Sequence, residues 1–311
     1  MDAIRAEHLT RVYPPASSGA RALDDLSLTV PSGRVFGLIG RNGAGKTTFI
    51  RIAATQLEPT EGRIEVLGHD VMTETDQVRA RIACVPQESR PLYFLTVEEA
   101  IRLNLRLRGM TGRLARARTQ DVLAELSLNE LASRPISRLS GGQRRRVMVA
   151  MVLGTEAELI FLDEPTTGLD PIARREVWEA IRRATREGRT TLLTTHYLDE
   201  AETLSGRLAL IERGRLILEG SPQDLRGRVR SPYRVTVEGS FSVEELRSFG
   251  TARAIEHGFL VFAGEESARR LAQEALRRGA RVAFGPVDLE DIFLEVVGRR
   301  IEDDAEEGPA E

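Results

Sequence analysis

Residues 40–47 read Gly-Arg-Asn-Gly-Ala-Gly-Lys-Thr and directly follow the continuous apolar run Val35-Phe36-Gly37-Leu38-Ile39. The apolar run predicts a strand buried on both faces, and the apolar periodicity of residues 45–54 predicts a helix after the loop. A loop of the pattern G-x-x-x-x-G-K-[ST] in this context directs backbone N–H groups and a helix dipole at phosphate oxygens. We therefore predict a phosphate site formed by Gly40, Arg41, Asn42, Gly43, Ala44, Gly45, Lys46, Thr47 and Thr48.

Lys46 is the only lysine in the chain, although lysine and arginine together number 44. Biased codon usage accounts for the preference for arginine, but it leaves open why this one lysine is kept. In the predicted loop Lys46 is a mobile cation for the β- and γ-phosphates, and Thr47 offers a hydroxyl to Mg²⁺. The alternative is a glycine-rich strand–helix connection that contains a lysine by chance.

A second motif supplies carboxylates at the end of another apolar run. Residues 159–164 read Leu-Ile-Phe-Leu-Asp-Glu, which predicts a buried strand that ends in two acids. A phosphate loop needs a metal-holding carboxylate on such a neighbouring strand. Asp163 is the predicted Mg²⁺ ligand, acting through water, and Glu164 is the predicted general base or polariser of the attacking water. A strand that simply ends in an acidic cap is the structural alternative.

Composition and charge limit the size of the domains and the kind of partner. The 311 residues are 41% hydrophobic, which is enough for one large domain and a smaller one. The formal net charge of −3 includes six acids within the last ten residues, and without them 44 basic residues face 41 acidic ones. This small excess of basic residues does not indicate a nucleic-acid partner, because such partners normally bind a concentrated basic face. Residues 301–311 are predicted to be a disordered acidic tail.

The sequence also bears on the compartment. Cys84 is the only cysteine, so no internal disulfide is possible, and the first residues lack the apolar segment of a signal peptide. The longest apolar stretches fall far short of the roughly 20 residues that a membrane helix needs. We expect a cytoplasmic chain that does not itself cross a bilayer.

The order of predicted elements indicates an α/β core. Residues 4–13 and 22–30 alternate apolar and polar side chains, which predicts an antiparallel hairpin, and residues 95–131 predict a helical insert that begins at the N-cap Thr96. Later strands alternate with helices, which predicts a largely parallel sheet. The predicted strands are 159–163, 190–195 and 208–211, and the predicted helices lie near 140–154, 172–187 and 197–203.

A second domain is predicted after residue 230. Its elements follow the order β-α-β-β-α-β between residues 233 and 285, which suggests a small ferredoxin-like α+β domain. A last amphipathic helix is predicted over residues 289–297. The domains are therefore predicted as 1–230, 231–300 and the tail 301–311.

Residues 139–143 read Leu-Ser-Gly-Gly-Gln. Ser140 is placed to cap a helix, and Gly141 and Gly142 permit an anion to approach its N-terminal amides. Together with the two motifs above, this string resembles the signature of the ATP-binding cassette (ABC) superfamily over residues 3 to about 230. The resemblance implies an ABC-type P-loop NTPase core, with an antiparallel β subdomain and a helical subdomain, that uses ATP and Mg²⁺.

Weaker motifs follow in the order that the family shows. Tyr13 lies 27 positions before Gly40 and is similar to the aromatic residue that stacks on adenine. Gln87 resembles the Q-loop glutamine that contacts Mg²⁺ and water, and His196 resembles the switch histidine of the catalytic group. The segment Gly168-Leu169-Asp170 resembles the D-loop. The resemblance also implies nucleotide contacts for Ser140, Gly141, Gly142, Gln143 and Asp170.

The signature implies partners. In the family it covers the γ-phosphate of another subunit's nucleotide, so a head-to-tail homodimer is expected. A helix dipole contributes only about 0.3–2 kcal/mol, against roughly 4–7 kcal/mol for an arginine finger. Hydrogen bonds from Ser140 and the glycine amides must therefore add to the dipole. The resemblance also implies a separately encoded membrane permease, which would hold the chain on the inner face of the cell membrane.

The direction of transport is predicted from the C-terminal region. Residues 287–295, Val-Asp-Leu-Glu-Asp-Ile-Phe-Leu-Glu, are similar to the ending of drug exporters of the daunorubicin/doxorubicin resistance type, and export of a drug, lipid or similar substrate is the expected function. An importer ATPase subunit is one alternative. A soluble ABC ATPase acting on ribosomes or DNA is another, but the chain has one phosphate loop, one signature and no long coiled coil between them.

Overall fold

A computed structural model describes residues 2–14, 20–85, 92–227 and 231–292. The chain divides into two compact units, Met1–Glu219 and Gly220–Glu311. The boundary predicted from the sequence lay at residue 230, and that division remains a prediction. Gln87 and the predicted tail 301–311 lie outside the described residues.

An antiparallel sheet of four strands opens the first unit. Strands β1 (Asp2–Val12) and β2 (Arg21–Pro31) form the predicted hairpin, and β4 (Glu61–Val66) and β5 (His69–Asp70) extend it in the order β2-β1-β4-β5. Alternation of buried and exposed side chains along β2 directs Leu23, Leu26 and Leu28 into the core.

The second sheet carries the predicted motifs. It has the order β10-β9-β3-β8-β7-β6. The pairs β3–β8, β3–β9, β6–β7 and β7–β8 are parallel. Opposite residues include Ile39 with Thr195 and Asp163 with Thr194, so the carboxyl ends of these strands meet at one edge. The strands are β3 (Val35–Ile39), β6 (Ile82–Val85), β7 (Leu159–Asp163), β8 (Thr190–Thr195), β9 (Arg207–Glu212) and β10 (Arg215–Gly220).

Helices pack around these sheets. The predicted insert consists of α3 and α4, and Thr96 caps α3 through a reciprocal pair of hydrogen bonds with Glu99. One hydrophobic core joins the insert to β7 and α5 through residues such as Ile101, Val149 and Ile160. The helices of this unit are α1 (Lys46–Ala53), α2 (Thr75–Arg81), α3 (Val97–Leu107), α4 (Gly112–Glu125), α5 (Gly141–Leu153), α6 (Pro171–Arg186) and α7 (Leu198–Leu204).

The second unit has the predicted ferredoxin-like order. After the short helix α8 (Pro222–Gly227), its strands pair antiparallel in the order β12-β13-β11-β14, and α9 and α10 connect them. The described part of the predicted last helix, residues 289–292, is helical. The described residues include no helix that is both long and apolar enough to span a membrane. The remaining elements are β11 (Tyr233–Glu238), α9 (Val243–Arg247), β12 (Thr251–Ile255), β13 (Gly258–Ala263), α10 (Glu265–Arg277) and β14 (Arg281–Pro286).

Candidate functional site

The loop between β3 and α1 forms a cradle because its glycines approach other backbone segments. A Cβ on Gly40 would lie 2.3 Å from the Ile211 carbonyl oxygen. Gly45 has a φ of 108°, which side chains rarely adopt, and a Cβ there would lie 2.4 Å from the Ala22 oxygen. The resulting cavity of about 330 Å³ is lined by Ala22, residues 42–48 and Glu164.

The ammonium of Lys46 contacts the backbone of this loop. Its side chain is buried, and Nζ donates to the carbonyl oxygens of Gly40 at 2.8 Å and Arg41 at 3.0 Å. Burial lowers the pKa of Lys46, while the negative charges of Glu164 and Asp163 oppose this shift. The ammonium is therefore held by two weak acceptors that phosphate oxygens could replace.

The predicted metal ligands Thr47 and Asp163 meet at the sheet edge. Thr47 Oγ1 donates to Asp163 Oδ2 at 2.9 Å, and the Thr194 hydroxyl donates to Asp163 Oδ1. Asp163 is almost fully buried at the end of β7. A hydroxyl and a carboxylate are oxygen donors of the kind that Mg²⁺ prefers, and Mg²⁺ bound with nucleotide takes its other ligands from phosphate and water. These two residues fit the ion.

Glu164 directly follows Asp163 in a strained conformation. Its φ is 51°, a left-handed value that costs a non-glycine residue roughly 1–2 kcal/mol. The backbone is held because Glu164 N donates to the oxygen and hydroxyl of Thr194, both at 3.1 Å. In this conformation Glu164 lines the phosphate-loop cavity.

The Glu164 carboxylate contacts the predicted switch histidine. Oε1 lies 3.1 Å from His196 Nδ1, and Oε2 accepts a hydrogen bond from the Thr167 hydroxyl at 3.2 Å. A carboxylate without a proton can only accept, so this contact is a hydrogen bond in the histidine form that carries a proton on Nδ1. Two predicted catalytic residues, separated by 32 positions in the chain, are therefore adjacent beside the phosphate loop.

The signature begins helix α5 as expected. Ser140 Oγ accepts from Gln143 N at 3.2 Å, and Gln143 Oε1 accepts from Ser140 N at 3.0 Å. Gly142 has no room for a side chain, because a Cβ would lie 2.7 Å from the Gly168 oxygen of the D-loop segment. A separate cleft of about 550 Å³ is lined by Ser140, Gly141, Gly142, Arg145, Glu164, Thr167 and Gly168.

Two other predicted nucleotide contacts have local partners. Tyr13 is partly exposed, its hydroxyl lies 3.4 Å from Thr48 Oγ1, and the Arg11 guanidinium lies over its ring. Asp170 Oδ1 accepts from Ala173 N at 2.9 Å and Ile172 N at 3.0 Å and so caps α6. The Ala173 hydrogen bond is the main cause of the lowered pKa of Asp170. The nucleotide contacts of both residues remain predictions.

The contacts of Arg145 with the end of β7 were not predicted from the sequence. It is buried, and its Nη2 donates to the carbonyl oxygens of Asp163 and of Glu164, the latter at 3.0 Å. Burial lowers the pKa of Arg145, opposed by the charges of Asp163 and Glu164. One sequence signal was present, since position 145 shares the apolar spacing of Met148, Val149 and Val152 on one face of α5.

Replacing Arg145 by methionine is expected to lower the free energy of unfolding by about 1–3 kcal/mol, because two buried carbonyl groups lose a charged donor. Urea unfolding measures the change. Arg138→Met is the matched control, since Arg138 is exposed and immediately precedes the signature. Equal midpoints for the two variants would contradict a structural role for the Arg145 hydrogen bonds.

Comparisons with known proteins identify the family. A family model described as "ABC transporter" matches residues 23–167. The daunorubicin/doxorubicin resistance ATP-binding protein DrrA of Streptomyces peucetius is 37% identical over 99% of this chain and 96% of its own length. The Nod factor export ATP-binding protein I of Cupriavidus metallidurans is 36% identical over 90% of this chain and 94% of its own length.

Solved structures show the same core. One, an ATP-binding subunit of an ABC transporter, has a TM-score of 0.66 and 28% identity and covers 72% of this chain and 92% of its own. A dimeric ATP-binding cassette in a post-hydrolysis state, bound to ADP and Pi, shares the fold with a TM-score of 0.65 at 24% identity, covering 70% and 98% of the two chains. The chain therefore belongs to the ABC transporter family and is one of its ATP-binding, ATP-hydrolysing subunits.

Proposed function

We propose that the chain hydrolyses MgATP with Glu164 and His196 as its catalytic pair and powers export through a separate membrane permease. The contact between Glu164 Oε1 and His196 Nδ1 beside the phosphate-loop cavity carries the proposal. A carboxylate that can accept a proton, and a group that orients it, would then lie beside the γ-phosphate of a nucleotide bound in this cavity, which supports the proposal.

Each residue of the loop then has a defined task. The backbone of residues 40–45 cradles the phosphates, and Lys46 transfers its hydrogen bonds from the Gly40 and Arg41 carbonyls to the β- and γ-phosphates. Thr47 and Asp163 would hold Mg²⁺, Asp163 through water, with Gln87 as a further contact of the ion, and Tyr13 would stack on adenine. The bound ion supplies charge neutralisation across the phosphates. Glu164 orients the attacking water and takes up its proton.

A second copy of the chain is needed for turnover. The signature residues Ser140, Gly141 and Gly142 line one cleft and residues 42–48 line the phosphate-loop cavity, while Glu164 lines both. The open N-terminus of α5 is an anion site, and the space beside Gly141 is open, since a Cβ there would meet nothing within 4 Å among the described residues. In a head-to-tail homodimer each signature, including Gln143 and the adjacent Asp170, faces the γ-phosphate of its partner.

Export is proposed from the relatives, two of which are named for drug resistance and for Nod factor export. A drug, a lipid or a similar substrate is the proposed cargo class. The chain would then be cytoplasmic and peripheral on the inner face of the membrane, held there by the permease. No nucleic acid is proposed as a partner.

Transport in inside-out vesicles tests the direction. Vesicles containing this chain and its proposed permease should accumulate cargo when ATP is added outside, and vesicles with Glu164→Gln should not. ATP-driven loss of cargo from the same vesicles, dependent on an extracytoplasmic binding protein enclosed in them, would instead support the importer alternative.

The proposed docking surface for the permease lies at the start of the helical insert. Leu92, Tyr93 and Phe94 are exposed just before α3, and Phe94 is 78% exposed. Leu107 at the end of α3 is exposed to the same extent. Large apolar side chains clustered in sequence and exposed to water are typical of protein–protein contacts.

Phe94→Asp is expected to abolish copurification with the permease while leaving the ATPase rate of the isolated chain within about twofold, because a charge cannot be desolvated in an apolar contact. Leu276→Asp on α10 is the matched control, since Leu276 is also strongly exposed. If Phe94→Asp recovers as much permease as the Leu276→Asp control, this surface is not the docking site.

A further inference from the structure

A buried carboxylate lies behind the catalytic pair and has no task in the proposed mechanism. Glu200 on α7 is fully buried, and its Oε1 accepts hydrogen bonds from Thr166 Oγ1 at 2.7 Å and Trp178 Nε1 at 2.9 Å. Its second oxygen, Oε2, has no hydrogen-bond partner among the residues that the structure describes. A buried ionisable group is costly, and an apolar side chain of the same size would often stabilise the fold at least as well.

The two ends of the Thr166–Glu200 hydrogen bond lie close in sequence to the two catalytic residues. Thr166 follows Glu164 by two positions, and Glu200 follows His196 by four. The Thr166 hydroxyl therefore joins the turn that carries Glu164 to the helix that follows His196. The Thr166–Glu200 bond joins residues 34 positions apart, and the Glu164–His196 contact joins residues 32 positions apart. The two contacts therefore connect the same two segments of the chain.

The turn that carries Glu164 requires support from its surroundings. Glu164 keeps a left-handed backbone although it is not glycine. Within the turn, Thr167 N donates to the Glu164 oxygen at 3.3 Å and Leu169 N donates to the Thr166 oxygen at 3.1 Å. A strained residue persists only where neighbouring contacts over-determine it. Thr166 belongs to this turn, and its side chain anchors the turn to α7.

We infer that Thr166 and Glu200 are positioning residues, whose hydrogen bond holds Glu164 against His196 in the geometry needed for hydrolysis. The inference rests on the proposed function of that pair. Neither side chain is assigned a contact with nucleotide. Loss of their hydrogen bond would move the turn that carries Glu164 relative to α7. We therefore expect it to lower the rate of the chemical step and to leave nucleotide binding unchanged.

Trp178 provides a matched control within the same cluster. Its indole N–H donates to the same Glu200 oxygen as Thr166, but it lies in the middle of α6. Thr166→Val and Trp178→Phe each delete one hydrogen bond to Oε1 and preserve most of the side-chain volume. Only the first variant detaches the turn that carries Glu164.

Steady-state ATP hydrolysis and thermal unfolding of the full chain distinguish positioning from stability. Thr166→Val should lower kcat by about ten- to a hundredfold, as expected for misplaced reacting groups, with KM for ATP within about twofold. Thr166→Ser should restore kcat to within about twofold, and Trp178→Phe should leave kcat within the same range. Both Thr166→Val and Trp178→Phe should lower the Tm. Thr166→Ala provides the same comparison if the valine methyl group is not accommodated.

A kcat of Thr166→Val within twofold of wild type would overturn the inference, and so would an equal loss of kcat in Thr166→Val and Trp178→Phe. Either result, with an active wild-type chain, would leave the proposed function intact. A wild-type chain that hydrolyses no ATP would overturn the proposed function itself, and the inference with it.

Discussion

Glu164→Gln is expected to bind ATP like the wild type and to hydrolyse it about 10²- to 10⁴-fold more slowly, the usual loss for a missing general base. The amide keeps the size of the carboxylate and an oxygen that can accept from His196, so the loop and the turn should keep their geometry. It cannot take up a proton from water. The ATP-bound dimer should therefore accumulate, because closure no longer ends in hydrolysis.

Phosphate release, equilibrium binding of ATP and size-exclusion chromatography with ATP measure these three effects. Glu156→Gln is the matched control, since Glu156 is exposed a few residues before β7. A turnover of Glu164→Gln within tenfold of wild type would contradict the assigned role, and a monomer at saturating ATP would contradict the proposed dimer.

Lys46→Ala is expected to weaken ATP binding by about a hundredfold, which corresponds to roughly 3 kcal/mol, because charge-assisted hydrogen bonds to the phosphates are lost. The Gly40 and Arg41 carbonyls also lose their donor in the nucleotide-free chain. Arg51→Ala removes an exposed positive charge in the last turn of the same helix and should bind ATP normally.

A second measurement uses the absence of any other lysine from the chain. An amine-directed acylating reagent can modify only Lys46 and the terminal amine, so mass spectrometry of the loop peptide reports on this one site. Burial lowers the pKa of Lys46, which increases the fraction of reactive neutral amine at a given pH. ATP should protect Lys46 from the reagent. Equal modification with and without ATP, or normal ATP binding by Lys46→Ala, would contradict the phosphate-loop role.

Much of the fold follows from local patterns. The hairpin over residues 4–30, the alternation of strands and helices and the β-α-β-β-α-β order of the second unit were all predicted, because apolar periodicity reflects backbone geometry directly. The caps at Thr96 and Ser140 were predicted for the same reason, since a helix cap involves residues only three positions apart. The ends of elements differed by a residue or more where pairing with a neighbour decided them, as in the strand predicted over 208–211, which begins at Arg207 opposite Phe36.

Some residues of the site were less predictable. Thr194 holds Asp163 and Glu164, Arg145 holds their carbonyl groups, and Glu200 holds Thr166, but none of the three belongs to a motif identified in the sequence. Each contact joins segments 18 to 34 positions apart. An arginine on the apolar face of α5 was a detectable signal, but it does not name the group that the guanidinium contacts.

The sequence by itself determined the phosphate loop, the strand ending in Asp163-Glu164, the signature and the ABC core, because these depend on residue type at short and regular spacing. Only the tertiary structure decided that Glu164 lies against His196, that Gly142 packs on the D-loop segment, and that Glu200 lies behind the catalytic pair. The physical reason is that backbone hydrogen bonds and apolar burial are encoded locally. The partner of a buried polar group, in contrast, depends on how strand ends and helices pack in three dimensions.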